Sequence, residues 1–459
     1  MNTIQRRWPT LALVALWGFC AGSAYATNGY FTHGTGTKNK GMAGAGIALP
    51  QDAIDVVNNP AAAVLVGNSM QIGAALFSPR RSYETSPSLI NGNFGAFTIG
   101  PNDIDSDSEY FVIPHFARSW QRGDDSAFVV SFYGRGGMNT DWKGGTATFD
   151  PDGPGPLPVL TLPGTYGAGD AGVDYSQGFL DLTWAKQVSE RTSFGLAGIL
   201  GFQFFEARGV GSFAGLTRTF AASGGTEFPA NLSNNGHDFA YGAGLKLGVH
   251  TQLSERTNFA ITYQSRIYMT EFDDYKDLFP EQGDFDVPAN LKVGLTHMVR
   301  DNVALSFDIE HIWISDVKAP GNTISKLFQC PTAGQGGTDL NKCLGGSDGG
   351  AFGWDDMTVF KVGLQWGNGG DWTWRAGYSY GEQPIPKDEM TFNILAPGLI
   401  EHHFTFGFTK QSRENREWNF AVMYAPENDQ TGPNNFDPTQ TVTWEMDQFE
   451  LELSYGWRF

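Results

Sequence analysis

The sequence lacks long hydrophobic runs and is poor in basic residues. Among its 459 residues, no stretch beyond the N-terminal region approaches the roughly 20 apolar residues of a membrane-spanning helix. The nearest one, 194–205, is short and is interrupted by glycines and by Gln203. A helical membrane protein is therefore excluded. Lys and Arg number 30 against 49 Asp and Glu, which gives a formal net charge of −19, so we expect no nucleic-acid partner.

Signature motifs of common enzymes are also missing. The chain has no G-x-S-x-G motif, and 36–41 has the glycine spacing of a phosphate-binding loop but continues with Met42 and Ala43. His402 and His403 are adjacent in a strand-like pattern, where neighbouring side chains point to opposite faces and do not easily share a metal ion. We expect no enzymatic activity, no metal site and no cofactor. A barrel lipase, whose Ser and His would be distant in sequence, stays an open alternative.

Cysteine is scarce, with three residues in the chain. Cys20 falls within residues 1–26, which have the features of a secretory signal peptide: two arginines, an apolar segment and an A-x-A cleavage motif at 24–26. The bulky Phe19 before Cys20 argues against lipoprotein processing. We therefore expect this cysteine to be removed with the signal peptide.

The other two cysteines, Cys330 and Cys343, are close together in the mature chain. In an oxidising compartment this spacing predicts a disulfide. Closing so short a loop contributes about 3 kcal/mol of stability by the chain-entropy argument. Zinc binding would need more ligands than this neighbourhood offers.

The C-terminal stretch 449–459 alternates large apolar residues with polar or small ones. The apolar set is Phe449, Leu451, Leu453, Tyr455, Trp457 and Phe459. A period of two indicates a strand with one apolar face and one polar face. A soluble sandwich buries such a face against a second sheet, whereas an outer-membrane barrel turns it towards lipid and keeps the charges inside.

Similar strands, joined by connections of alternating length, follow one another from residue 68 onward. The long connections fall near 84–108, 136–173, 208–236, 272–287, 315–355, 382–397 and 426–442. Short turns at one end and long loops at the other are typical of outer-membrane barrels, whose strand number is normally even. The sequence therefore predicts an all-β fold, a transmembrane antiparallel β-barrel of about 14 strands over 68–459. A soluble all-β fold is the disfavoured alternative.

The stretch 27–67 differs from the rest because it is rich in Gly and Ala and shows no alternation. Asn59-Pro60-Ala61 reads as a helix start, with Asn59 as the N-cap and Pro60 at the first helical position. We predict a compact element small enough to sit inside a barrel. The predicted organisation is thus a signal peptide at 1–26, an N-terminal hatch at 27–67 and a barrel at 68–459.

These features together resemble the FadL/OmpP1/TodX family of outer-membrane transporters. The resemblance rests on the mature N-terminus, the Asn59-Pro60-Ala61 tripeptide, the succession of strands and the terminal Phe459, and it covers essentially the whole mature chain. It implies a barrel plugged by the hatch in the outer membrane of a Gram-negative bacterium. The implied activity is passive uptake of hydrophobic molecules, such as long-chain fatty acids or aromatic hydrocarbons.

The resemblance also implies a route from a groove among the external loops, through a pocket beside the hatch, to a gap in the wall near a kink in the third strand. For the groove we predict Phe213, Leu216, Phe220, Phe228, Leu278 and Phe279, which equally fit a packed lid. For the pocket we predict Phe31 and His33, with Lys38, Lys40 or Arg135 facing a carboxylate unless they are salt-bridged or solvated. For the opening we predict Gly134, Gly136 and Gly137, where a simple strand end is the alternative.

The expected partners follow from the same family. They are a hydrophobic substrate, outer-membrane lipid and lipopolysaccharide, and the barrel-assembly machinery, which would bind the C-terminal strand of a monomeric protein. A porin for hydrophilic solutes is the rival transport function, and a plug would argue against it. Adhesin or phage-receptor roles fit long loops too and are compatible with transport.

Overall fold

The computed structural model describes residues 28–150, 157–413 and 415–459. The predicted signal peptide, 1–26, lies outside the described residues. Within them, fourteen long strands form one closed antiparallel sheet. These strands are β1 Ser69–Thr85, β2 Phe111–Arg122, β3 Ser126–Trp142, β4 Ala171–Ser189, β5 Thr192–Arg208, β6 Asp238–Ser254, β7 Thr257–Gln264, β8 Asn290–Arg300, β9 Val303–Ile312, β10 Met357–Gly367, β11 Trp372–Gly381, β12 His402–Arg413, β13 Arg416–Asn434 and β14 Asp437–Arg458.

The barrel closes because the last strand pairs with the first. β14 pairs antiparallel with β1 along the whole length of β1, from Ser69 opposite Arg458 to Thr85 opposite Val442. The terminal Phe459 adds a backbone hydrogen bond of 2.9 Å from its N–H to the carbonyl oxygen of residue 68. A closed sheet has no free edge, so no row of backbone groups is left without hydrogen-bond partners in lipid. The all-β barrel with 14 strands that the sequence predicted is confirmed.

Side chains along each strand alternate between the outer surface and the interior. In β14, Phe449 and Leu453 are 43% and 50% exposed, whereas Glu450 and Glu452 are 3% and 1% exposed. The apolar face therefore points outward, where lipid covers it, and the charged face points into the barrel.

The connections follow the predicted alternation of short turns and long loops, but the prediction of one long loop, at 426–442, is wrong. Between 426 and 442 the chain stays in β13 and β14, which are joined by a turn after Asn434. Pro and Asn residues suggested a loop there, yet pairing between the two strands overrides local propensity. A bulge between Ala425 and Asn428 accommodates Pro426.

The third strand also differs from one of the sequence alternatives. β3 does not end at the glycines 134–137 but continues to Trp142, paired with β4 throughout. The simple strand end considered for this stretch is therefore wrong, and the glycines form a local irregularity within a longer strand.

The long loops contain short elements and one disulfide. Phe97–Ile99, Thr146–Phe149 and Leu160–Pro163 form a separate three-stranded sheet, while Asp103–Asp105 and Tyr268–Met269 extend the barrel sheet. Cys330 and Cys343 are joined by a disulfide in the β9–β10 loop. The helical turns of the loops are Asn93–Gly95, Gly211–Leu216, Arg218–Ala222, Asp273–Tyr275, Pro280–Gly283, Ile314–Asp316, Lys318–Gly321, Ile324–Gln329, Leu340–Lys342 and Met390–Asn393.

The stretch before β1 is compact and almost wholly buried. It holds three short helices, Thr37–Lys40, Ala53–Val57 and Pro60–Val64. The side chain of Asn59 accepts a hydrogen bond of 3.0 Å from the N–H of Ala61 and so caps the third of them. None of the helices in the described ranges has the length and apolar character needed to span a bilayer.

Cysteine labelling should report the orientation of the barrel. Glu227 is exposed in the β5–β6 loop, and Asp301 is exposed in the turn between β8 and β9. We expect Glu227→Cys to react with a membrane-impermeant maleimide on intact cells, because long loops face outward. Asp301→Cys should react only after the outer membrane is permeabilised. Unmutated protein is the background control, and labelling of Asp301→Cys alone on intact cells would reverse the orientation.

Candidate functional site

Residues 28–67, which we term the luminal segment, lie inside the barrel and contact its wall on several sides. Polar contacts join the segment to strands that are far apart around the barrel. These contacts are Thr37 with Glu452 of β14, Gly46 and Ile47 with Asp308 of β9, His33 with Lys361 of β10, Val57 with Lys246 of β6, Ala61 with Ser193 of β5 and Ala63 with Gln121 of β2. The segment therefore occupies the lumen at the level of these residues.

Buried ion pairs hold the luminal segment in place. The ammonium group of Lys40 lies 2.9 Å from a carboxylate oxygen of Glu450 and 2.8 Å from one of Glu452, and all three side chains are almost completely buried. Lys38 pairs with Glu417 at 2.5 Å and with Asp52 at 3.4 Å. Charges buried this deeply need such partners, because desolvation costs several kcal/mol per ion.

Two residues that the sequence suggested for a ligand pocket therefore have other contacts. Lys38 lies in its ion pairs beside a cavity that the C-terminal residue also lines. His33 is fully buried, and its ring stacks on that of His403 with centroids 5.8 Å apart. Neither residue lines the cavity that Phe31 and Arg135 share.

Phe31 and Arg135 meet in the lumen beside β3 and form what we term the anion pocket. The guanidinium carbon of Arg135 lies 4.4 Å from the centre of the Phe31 ring, and one of its nitrogens donates to Gln264 at 3.1 Å. Lys246 and Lys292 line the same small cavity, and they pair with Asp181 at 3.1 Å and Glu310 at 3.2 Å.

Arg135 itself is left with unused hydrogen-bond donors. It is 8% exposed, yet its Nε and Nη2 atoms have no hydrogen-bond partner, and no carboxylate of the described residues forms an ion pair with it. A buried guanidinium in this state has donors available for an anion, since Arg forms strong, forked hydrogen bonds with carboxylates.

A separate, apolar cavity of about 30 Å³ lies under the external loops. Three of the predicted groove residues, Phe213, Leu278 and Phe279, are among its walls, with Phe205 of β5 and Phe392 also lining it. Its lining is apolar throughout, which suits a hydrophobic guest. We term it the loop cavity.

The other predicted groove residues lie around the loop cavity rather than in it. Leu216 is partly buried and packs against the hydrophobic core under the loops. Phe220 and Phe228 contact each other with ring centroids 5.3 Å apart, and Phe228 is 72% exposed. The six predicted residues thus divide into three that line the cavity, one, Leu216, that packs against the core beneath the loops, and an outer pair, Phe220 and Phe228.

A series of aromatic contacts leads from the loop cavity to the anion pocket. The ring of Phe279 lies 5.1 Å from that of Phe285, which lies 6.1 Å from that of Tyr30. The Tyr30 ring is in turn 5.1 Å from that of Phe31, over which Arg135 is placed. Sequence analysis did not identify Tyr30 or Phe285, because nothing local distinguishes them from ordinary core aromatics.

The barrel wall is interrupted beside the anion pocket, between β2 and β3. These strands pair from Arg122 opposite Ser126 up to His115 opposite Tyr133, and no ladder joins them beyond that point. Farther along, the chain before β2 meets β3 again through a bridge between Ser106 and Trp142 and through the N–H of Asp107, which donates to Asp141 at 2.9 Å. Over the same stretch β2 stays paired with β1, and β3 stays paired with β4. The wall therefore has a local gap flanked by two intact ladders.

The gap begins where β3 bulges at the predicted glycines. Gly134 is opposite residue 178 of β4 and Gly137 is opposite residue 176, so β3 holds one extra residue there. Gly136 has a φ of +77°, and an added Cβ atom would lie 2.4 Å from the carbonyl oxygen of Tyr30. The N–H of Gly137 donates to that same oxygen at 3.1 Å. Only glycine fits this backbone and this close approach.

The β11–β12 loop covers the barrel mouth and was not singled out from the sequence. Its residues 390–400, which we term the roof segment, are all buried. The sequence does carry a sign of this burial, because the apolar run 394–400 begins inside the loop predicted at 382–397. Just before it, burial raises the pKa of the Glu389 carboxyl to about 8, and the charges of Asp388 and Asp355 add to this effect. That carboxyl accepts a hydrogen bond from the N–H of Ile324 at 2.8 Å.

The arrangement is suited to moving a solute rather than to changing one. It combines an apolar cavity at the loops, a cationic pocket in the lumen and a gap in the wall. Among the described residues, no group of three or more His, Cys, Asp and Glu side chains is placed to hold a metal ion. A closed barrel with an apolar outer face and this interior defines an outer-membrane transport protein.

Comparison with known proteins gives the family. The model of the outer membrane transport proteins OMPP1/FadL/TodX matches residues 18–434, so the chain belongs to this family. Its function is therefore outer-membrane transport, and the apolar loop cavity fits hydrophobic compounds as the class that is carried. A search among curated proteins gave no match.

Solved structures of similar fold cover nearly the whole chain. The toluene transporter TodX of P. putida superposes with a TM-score of 0.61 at 17% identity, covering 93% of this chain and 99% of its own. A FadL homologue of Pseudomonas aeruginosa superposes with a TM-score of 0.61 at 14% identity, covering 96% of this chain and 100% of its own. The toluene transporter TbuX of Ralstonia pickettii superposes with a TM-score of 0.56 at 15% identity, covering 93% of this chain and 99% of its own.

Removing Lys40 should destabilise the protein strongly. Lys40→Met leaves Glu450 and Glu452 buried together without a cation, and losing one partner of a buried pair costs about 3–5 kcal/mol. The matched control is Lys143→Met, because Lys143 pairs with Asp141 at an exposed site, where such pairs contribute about 0–1 kcal/mol. Urea unfolding in detergent, followed by gel mobility, measures the unfolding midpoints of both variants. Equal midpoints for the two variants would contradict the anchoring role.

Proposed function

We propose that this protein takes up hydrophobic molecules that carry an acidic head group, with long-chain fatty acids as the substrate class. The molecule enters the loop cavity, passes along the aromatic contacts to the anion pocket and leaves sideways through the gap between β2 and β3. The observation that carries the proposal is the buried Arg135, which retains two unpartnered nitrogens. A hydrocarbon offers these nitrogens no hydrogen-bond acceptor, although an aromatic ring can stack on the guanidinium as Phe31 does.

The energetic argument starts from the cost of burying the Arg135 charge. A buried cation without an anionic partner is unfavourable by several kcal/mol, and a carboxylate placed against it recovers that energy through charge-assisted hydrogen bonds. Lys246 and Lys292 in the same cavity are each paired with a carboxylate, so Arg135 is the group that a substrate carboxylate would meet. The acyl chain would lie along Phe31 and Tyr30, whose rings supply the apolar contact that a head group alone would lack.

The loop cavity must widen to accept a guest. Its volume of about 30 Å³ is well below the roughly 150 Å³ of an engineered protein cavity that binds benzene. Side chains lining it must therefore move when a substrate enters. Cavity walls of loops and side chains permit this, whereas the flanking strands are fixed by the ladder.

Lateral exit follows from what fills the lumen. The luminal segment is tied to the wall on several sides, so it acts as a hatch against a straight path to the periplasm. An apolar solute gains by entering the bilayer directly without crossing water. The gap beside the anion pocket supplies that path, and a hatch of this kind argues against an open porin for hydrophilic solutes.

Aromatic hydrocarbons are the second candidate substrates. Among the similar structures, TodX and TbuX are described as toluene transporters and CymD as a monoaromatic hydrocarbon channel. The aromatic contacts between the loop cavity and the anion pocket would suit such guests as well. We further expect a monomer that contacts outer-membrane lipid and lipopolysaccharide, with the strand ending at Phe459 recognised by the assembly machinery.

Substitution of Arg135 should separate the two substrate classes. We expect Arg135→Gln to weaken binding of oleate by at least about tenfold, because the charge-assisted hydrogen bonds are lost, and to leave binding of toluene unchanged. Arg375→Gln is the matched control, since Arg375 is also buried in the lumen but donates to Thr409 and Gln51. Isothermal titration of the purified proteins measures the affinities. Equal losses for oleate and toluene would argue against a carboxylate site.

A disulfide across the gap should block uptake reversibly. An added Cβ atom at Gly134 would lie 3.1 Å from Cγ2 of Ile113, so Ile113→Cys with Gly134→Cys can staple β3 to β2. We expect uptake of radiolabelled oleate by cells to fall when the pair is oxidised and to recover on reduction. Unmutated protein given the same reductant controls for the native disulfide. Full uptake through the oxidised double variant would exclude lateral exit at this gap.

A further inference from the structure

The roof segment touches both ends of the proposed route. Its side chains Phe392 and Leu395 line the loop cavity. Its backbone carbonyl groups face β3 on the luminal side: that of Leu395 accepts from Oγ1 of Thr140 at 2.7 Å, and that of Ile394 accepts from Nε1 of Trp142 at 2.9 Å. One short stretch of chain therefore contacts the site of entry and the strand that borders the gap.

The two hydrogen bonds hold a part of β3 that has no ladder with β2. Beyond the bulge at Gly136 and Gly137, β3 keeps its ladder with β4, and on the side of β2 it is joined by contacts of Ser106 and Asp107 with Asp141 and Trp142. Thr140 and Trp142 lie in this outer half and are almost completely buried. Buried hydrogen bonds do not exchange readily with water, so the roof segment gives this half of β3 support that β2 does not.

The roof segment, like the other loop residues that line the loop cavity, lies outside the barrel sheet. The N–H groups of Leu395 and Ala396 donate to Phe392 and Asn393 within the same stretch, and side-chain hydrogen bonds tie Thr391 to Asn434 and Asn393 to Phe352. The strands that contribute Val173 and Phe205 to the cavity are fixed in the barrel ladder. A guest that enlarges the cavity will therefore displace the roof segment more easily than the barrel wall.

We propose that Thr140 and Trp142 are positioning residues that couple occupancy of the loop cavity to the width of the gap between β2 and β3. A guest pushes Phe392 and Leu395 outward, the roof segment withdraws from β3, and the outer half of β3 is released. The proposal rests on the proposed function, because it takes the loop cavity as the site of entry. It adds that the gap widens only after that cavity has been filled.

Hydrogen exchange of the full-length protein in nanodiscs tests the coupling. Mass spectrometry of peptides covering 134–142 reports how freely the outer half of β3 opens. We expect oleate to speed exchange of these amides by about tenfold in unmutated protein. In the double variant Thr140→Val with Trp142→Phe, exchange should already be fast without oleate, and oleate should add little. Thr140→Val alone should give an intermediate response and serves if the double variant folds poorly.

A matched control separates coupling from simple loosening of the strand. The hydroxyl of Ser106 accepts a hydrogen bond of 3.0 Å from the N–H of Asp141 in the same half of β3 and does not contact the roof segment. Ser106→Ala should raise exchange slightly but keep the full response to oleate. If the double variant also keeps that response, Thr140 and Trp142 are merely structural and the proposal fails.

A variant that fills the cavity tests the coupling without any substrate. Ala351 lines the loop cavity, and Ala351→Phe places a ring in it. We expect this variant to speed exchange of 134–142 with no ligand present. Exchange at the unmutated rate would overturn the coupling, whatever the substrate is. Fast exchange in Ala351→Phe together with no effect of oleate on unmutated protein would instead uphold the coupling and count against fatty acid as the substrate.

Discussion

Lipid provides no hydrogen-bond partners, so the backbone of a membrane wall must find them within the protein. The barrel satisfies this with ladders around its circumference, and the interruption between β2 and β3 is partly compensated from inside. The amide of Gly137 is paired with the carbonyl oxygen of Tyr30, which belongs to the luminal segment. Farther along β3, the backbone carbonyl of Asp141 accepts from the N–H of Asp107, and the side chains of Thr140 and Trp142 donate to the roof segment. The luminal segment and the chain before β2 thus supply backbone partners that the ladder between β2 and β3 does not.

A second requirement comes from the charges inside. The strands place acids and bases in a crowded lumen, where burial costs each charge its hydration unless a partner offsets that loss. Lys40 meets Glu450 and Glu452 in this way, which fixes the position of the luminal segment. Arg135 lacks a carboxylate partner among the described residues. Arg135 is therefore the charge on which the proposed carboxylate site depends.

The sequence predicted what depends on local pattern and missed what depends on distant pairing. A period of two in 449–459 is a local property, and so the strand and its inward charges were predicted correctly. The loop predicted at 426–442 was wrong because pairing with β14 outweighs Pro and Asn propensity. The partners of Lys40 lie at the other end of the chain. The contacts of the roof segment with β3 join a loop to a strand that is far from it in sequence. Spacing in the sequence carries no trace of either.

The hairpin of β13 and β14 has a consequence for where solutes are first met. Its 22-residue strand β14 is about 70 Å long at roughly 3.3 Å per residue. With a tilt of about 40°, it rises on the order of 55 Å, whereas the apolar band of such barrels is about 25 Å tall. The tip near Asn434 therefore stands far beyond the hydrocarbon. There the ring of Phe436, in the turn of the hairpin, lies 5.9 Å from that of Phe213, so the hairpin supports a wall of the loop cavity at a height well clear of the bilayer.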